Sequence, residues 1–62
     1  MGKEFRMYVT NITQAISVLR EAGIEASTVG TAVQLRIPEE GKTDVIVLLN
    51  SKKVVIYDIE EI

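Results

Sequence analysis

A few places in the chain carry side chains that could do chemistry. Gly41-Lys42-Thr43 spells the tail of a phosphate-binding loop, whose backbone N–H groups and lysine cradle phosphates. The full loop needs a further glycine five residues before Gly41. That position holds Arg36, and the approach runs through Pro38, Glu39 and Glu40, whose charge repels phosphate. The triplet therefore reads as coincidence. The other glycines, at 2, 23 and 30, are too dispersed for a dinucleotide fingerprint. Ser51 stands beside Lys52 and Lys53, a hydroxyl next to an amine, and Ser17 and Ser27 are further hydroxyls. The chain has no His to activate them, and a lysine base needs a dry pocket that is hard to build from 62 residues. Glu39-Glu40 and Glu60-Glu61 could hold a hard cation loosely, but no calcium-loop spacing surrounds them. With neither Cys nor His, a zinc site has no preferred ligand. The expectation is a chain that is not an enzyme, with no catalytic residue, no cofactor and no metal.

Size and charge narrow the class. Sixty-two residues make one domain, 1–62, which hides only about 60% of its unfolded surface and is marginally stable. Seven basic against nine acidic residues give a net charge of −2, which argues against a nucleic-acid partner. The longest apolar run, residues 45–49, is far below the roughly 20 needed to cross a bilayer, so no direct membrane insertion is expected. Arg6 stands where a myristoylation signal wants Ser or Thr, and Gly2 reads as a cloning remnant or a chance residue. The expected location is cytoplasmic, as a fragment of something longer.

The elements that must position any site follow from periodicity. Residues 3–10 alternate, with Phe5, Met7 and Val9 on one side and Glu4, Arg6, Tyr8 and Thr10 on the other, as a half-buried strand does. Ile12, Ala15, Ile16, Leu19 and Ala22 then form a helical stripe. Asn11 caps it, Gln14 can reach back to the cap, and Gly23 suits its left-handed end. A strand follows over residues 24–29 with Ile24, Ala26 and Thr28 on one side. Gly30-Thr31 makes a two-residue turn, and residues 32–37 return with Val33, Leu35 and Ile37 inward. Residues 43–51 support two readings. β-Branched content favours a strand, whereas Asp44 at one end, Lys52 and Lys53 at the other, and a stripe of Val45, Ile46, Leu48 and Leu49 favour a helix. The sheet needs a second cover on one face, which tips the choice to helix. Residues 54–59 close the chain as a strand with Val55, Tyr57 and Ile59 inward. The expected fold is α+β, a ferredoxin-like βαββαβ sandwich with a four-stranded antiparallel sheet and two helices on one face.

That topology gathers Arg6, Tyr8, Gln34 and Arg36 on the outer face of the two central strands. RNA-binding sheets stack bases on aromatics there, but only one aromatic falls on this face and the charge is negative. Contact with a protein, or with a second copy, suits Tyr and two Arg better, with Val54 and Ile56 beside them. A merely solvated face has the same pattern.

Residues 3–9 (KEFRMYV), 15–25 (AISVLREAGIE), 33–40 (VQLRIPEE) and 54–59 (VVIYDI) together resemble the small C-terminal accessory domain of ABC transporter ATP-binding subunits, of the bacitracin, lantibiotic and multidrug export type. In that family a helix ends in LxxAGI, matched by Leu19, Ala22, Gly23 and Ile24. One departure is Asn50-Ser51-Lys52-Lys53, where the family's second helix ends in a glycine turn. The resemblance implies a non-catalytic accessory domain that neither binds nor hydrolyses ATP. It would act through protein–protein contacts with the parent ATPase core, the transporter membrane subunit or its own twin. The chain also looks like an ACT-type module binding amino acids, although Thr10-Asn11-Ile12 replaces that family's Pro-Gly pair. An engineered α/β domain without function is a third reading, and Thr28 in a core register is untypical of it.

Overall fold

The computed structural model describes residues 2–62. The alternating first segment forms strand β1 (Gly2–Val9), followed by helix α1 (Ile12–Glu21). A hairpin of β2 (Ala26–Val29) and β3 (Ala32–Pro38) leads through one 3₁₀ turn (Glu39–Gly41) into helix α2 (Lys42–Ser51), and β4 (Ile56–Glu61) ends the chain. The four strands pair antiparallel in the order β2-β3-β1-β4, so β1 and β3 are central. This is the ferredoxin-like α+β arrangement the sequence pattern predicts. Phe5, Met7, Val33, Leu35 and Ile37 pack in one cluster with Ala15, Val18 and Leu19 of α1 and Val45 and Leu49 of α2. Both helices therefore cover the same sheet face, and the other face is open.

Residues 43–51 resolve as helix. Apolar strand propensity is overridden by tertiary packing: Val45 and Leu49 are buried, Ile46 and Leu48 half-buried, and Val47 faces out at 61% exposure. In a strand Val45, Val47 and Leu49 would share one side. The first helix differs from its expected stripe at two positions. Val18 is buried, whereas Ala22 is the exposed C-cap residue.

Both helices end in the same motif. The Ile24 N–H donates to the Leu19 carbonyl at 2.9 Å and Gly23 to Arg20 at 3.0 Å; Val54 donates to Leu49 at 2.9 Å and Lys53 to Asn50 at 2.9 Å. These are Schellman closures, which need a left-handed residue after the cap. Gly23 supplies it at φ +79°, and in the second helix Lys53 takes it at φ +65°. The absent glycine turn thus leaves the fold intact but strains one lysine. The helices begin 30 residues apart and are each 10 residues long, so Leu19 and Leu49, Ile24 and Val54, and Gly23 and Lys53 occupy equivalent places. The shared geometry is a structural repeat that the dissimilar sequences conceal. Replacing Lys53→Gly is expected to raise stability by about 1 kcal/mol, since a left-handed residue with a Cβ costs that much. Urea denaturation reads this as a higher midpoint at unchanged slope.

The helix starts also differ. Asn11 Oδ1 accepts from the Gln14 N–H at 3.0 Å, as a cap should. The Gln14 side chain does not return to the cap. Its Nε2 donates to the Lys52 carbonyl at 3.1 Å, tying the start of α1 to the end of α2. An Asn11→Ala variant should lose about 1 kcal/mol in the same denaturation experiment.

Strand β4 overturns the expected inward set of Val55, Tyr57 and Ile59. Tyr57 is 66% and Val55 54% exposed, Val54 is fully buried, and Ile56 and Ile59 are half-buried against the core. The cause is a bulge. Val9 pairs with Ile56, Tyr8 with Asp58 and Met7 with Ile59, so one extra residue on β4 lies opposite Tyr8. That residue flips the parity, placing Ile56 and Ile59 on the same side although three positions separate them. The hairpin behaves as expected: Gly30 has φ +60° and Val29 pairs with Ala32 across a two-residue turn. Thr28 is exposed on the edge strand and is no part of the core.

Candidate protein-contact face

The pleat of β1 and β3 sends every second side chain to the open face, and register decides which of them meet. Glu4 pairs with Arg36, Arg6 with Gln34 and Tyr8 with Ala32. The structure thus brings Arg6, Tyr8, Gln34 and Arg36 together as the alternation predicts. It also links them through Glu4, which the same alternation places on this side. Arg36 Nη2 donates to Glu4 Oε1 at 2.7 Å, Gln34 Nε2 to Glu4 Oε2 at 3.0 Å, and Arg6 Nε to Gln34 Oε1 at 3.0 Å. These bonds form one chain across the two central strands. Arg36 Nη1 also donates to the Gly2 carbonyl at 3.1 Å, and a Cβ on Gly2 would lie 2.7 Å from Arg36 Cγ. The bare backbone of Gly2 lets the arginine stem lie across β1.

One end of the face is apolar. Tyr8 and Tyr57 rings lie 6.4 Å apart, tilted by 39°, a spacing at which aromatic pairs attract. Val55 stands beside them opposite Thr10, to whose hydroxyl oxygen its N–H donates at 3.1 Å. Val29 and Ala32 continue the same row onto β3 and β2. Ala32 is buried, yet it belongs to this face and not to the core cluster. Of the two residues of the last segment expected here, Val54 is buried in the core and Ile56 faces the helices, so neither contributes. Tyr57 and Val55 take their place. The only sequence sign of this was Ile56 and Ile59 three apart, a break in alternation that marks a bulge.

Charge on this face is mixed, with Arg6 and Arg36 beside Glu4, Asp58 and Glu60. The Tyr8 hydroxyl donates to Glu60 Oε1 at 2.7 Å. That hydrogen bond to a carboxylate holds the phenol above its ordinary value of 10.0, with desolvation and the Glu60 charge acting in the same direction. The neutral phenol is the favoured form in the folded chain. Its contribution is complete below the ordinary phenol value and is lost as pH rises through the raised one. A Glu60→Gln variant is expected to move the Tyr8 titration midpoint down, read from the ring resonances. An unchanged midpoint would show that the carboxylate does not act on Tyr8.

The other candidate chemistry finds structural roles. Lys42 of the Gly41-Lys42-Thr43 triplet opens α2, and its Nζ lies 5.6 Å from the centre of the Phe5 ring, a cation–π contact over the core edge. Lys3 Nζ lies 3.6 Å from Glu39 and 3.4 Å from Glu61, so each acidic pair gives one carboxylate to the same lysine. Among the described residues no three metal-ligating side chains converge, and no helix is long and apolar enough to cross a membrane. Ser51 Oγ donates to the Leu48 carbonyl at 2.6 Å, which occupies its proton within the helix. Set beside known proteins, the chain matches no family model, no curated protein and no solved structure.

Proposed function

We propose that the chain is a non-catalytic contact domain that works through its open sheet face, in the manner of the accessory domain of an ABC transporter ATP-binding subunit. The observation that supports it most is the exposed Tyr57 and Val55 beside Tyr8 on a face that neither helix covers. Exposed aromatic side chains and arginines are the residue types enriched at protein contact surfaces. The bulge in β4 is what turns Tyr57 outward, and bulges re-aim side chains at functional sites. The transporter assignment rests on the sequence resemblance.

Amide shift mapping tests the reading. The isotope-labelled chain is titrated with the nucleotide-binding domain encoded in the same reading frame. Shifts are expected at Arg6, Tyr8, Gln34 and Tyr57, while Ser17 and Val47 on the helices stay fixed. Added Mg-ATP alone should move nothing. Shifts confined to the helices would contradict the contact face. A reading frame without such a domain would contradict the transporter assignment.

A further inference from the structure

We propose that the partner that fits this face is a second copy of the chain, packed sheet to sheet about a two-fold axis running along the strands between β1 and β3. This rests on the open face being the contact surface. Such an axis exchanges β1 with β3 and β2 with β4 and keeps each cross-strand row opposite its own copy. In the row containing Glu4 and Arg36, each carboxylate then faces the guanidinium of the other copy. In the next row Gln34 faces Arg6, an acceptor against a donor. In the third, Tyr8 faces the small Ala32, and Tyr57 faces Val29. Glu4 and Arg36 thus meet opposite charge, Glu60 meets Ser27, and Tyr8, Tyr57, Ala32 and Val29 meet one another with Asp58 at the rim.

The other axis available to two stacked sheets runs across the strands. It would lay the Glu4–Arg36 row of one copy on the Tyr8–Tyr57 row of the other, stripping water from charges against aromatic side chains. The register therefore selects the first axis. Sheets stacked this way keep their strands within about 30° of each other, which holds the rows near the axis in contact.

Size sets the strength. With the chain's larger extents at 27 and 22 Å, the whole face offers at most about 600 Å², below the ~800 Å² per partner of a standard interface. Association is accordingly weak, between about 10 μM and about 1 mM.

Sedimentation equilibrium across that range tests it, with amide spectra confirming that each variant is folded. Wild type is expected to dimerise. Glu4→Arg and Arg36→Glu should each weaken dimerisation about tenfold or more, because like charges then face each other across the axis. Their equimolar mixture should associate again as a heterodimer. Tyr57→Glu, at an exposed position outside the polar chain, should weaken association as well. A wild type that is monomeric throughout, or a mixture no tighter than its components, overturns the inference. If the monomeric chain still shows open-face shifts with the nucleotide-binding domain, the contact-face reading survives that failure. If those amides stay fixed in both experiments, both readings fall.

Discussion

A Leu19→Ala variant is expected to lose about 2–5 kcal/mol, enough to unfold a large fraction of a domain of this size at room temperature. Leu19 is fully buried, and its carbonyl accepts the closing hydrogen bond from Ile24. Truncation leaves a cavity where α1 meets the central strands, and a chain of 62 residues has little second layer to collapse into it. Thermal or urea denaturation gives the number. A midpoint equal to that of wild type would show that α1 does not pack on the sheet through this face.

The second large effect separates helix from strand at residues 43–51. Leu49→Ala should cost about 2–5 kcal/mol, as Leu19→Ala does, because the two leucines hold equivalent places in the repeated helix end. Val47→Ala, two positions earlier and 61% exposed, should change stability by less than about 0.5 kcal/mol. A strand would put both side chains on one side and give both variants comparable costs. The ratio of the two effects therefore reads the local period directly. Comparable losses at both positions would remove α2 and leave the sheet without its second cover.

Most of the fold was legible because its signals are local or repeat within one element. Phe5, Met7 and Val9 alternate, Asn11 and Gly23 bracket a helical stripe, and Gly30-Thr31 dictates a tight turn. The α2 segment could be read only by adding a global condition, since Val45, Ile46 and Val47 carry strand propensity that packing overrides. The inward set of β4 is not legible for a different reason. A bulge is a property of pairing between two strands, and alternation applied to residues 54–59 alone assigns Val55 and Tyr57 to the core. The left-handed Lys53 was equally hidden, because a lysine does not announce a helix end as glycine does.

The face was half legible. Arg6, Tyr8, Gln34 and Arg36 follow from alternation on two strands whose central position follows from the topology. Their cross-links through Glu4 need register, and the aromatic partner Tyr57 needs the bulge. The aromatic end of the open face thus depends on one irregularity in the edge strand.

The core and the proposed contact face use different side chains, and one double variant tests that division most directly. Val55→Thr with Tyr57→Ser is measured for both denaturation midpoint and open-face amide shifts on adding a partner. A stability loss of no more than about 1.5 kcal/mol, the worth of the exposed Tyr8–Tyr57 pair, with the shifts abolished, is the predicted result. A loss of about 2 kcal/mol or more would place these side chains in the core and contradict the open face.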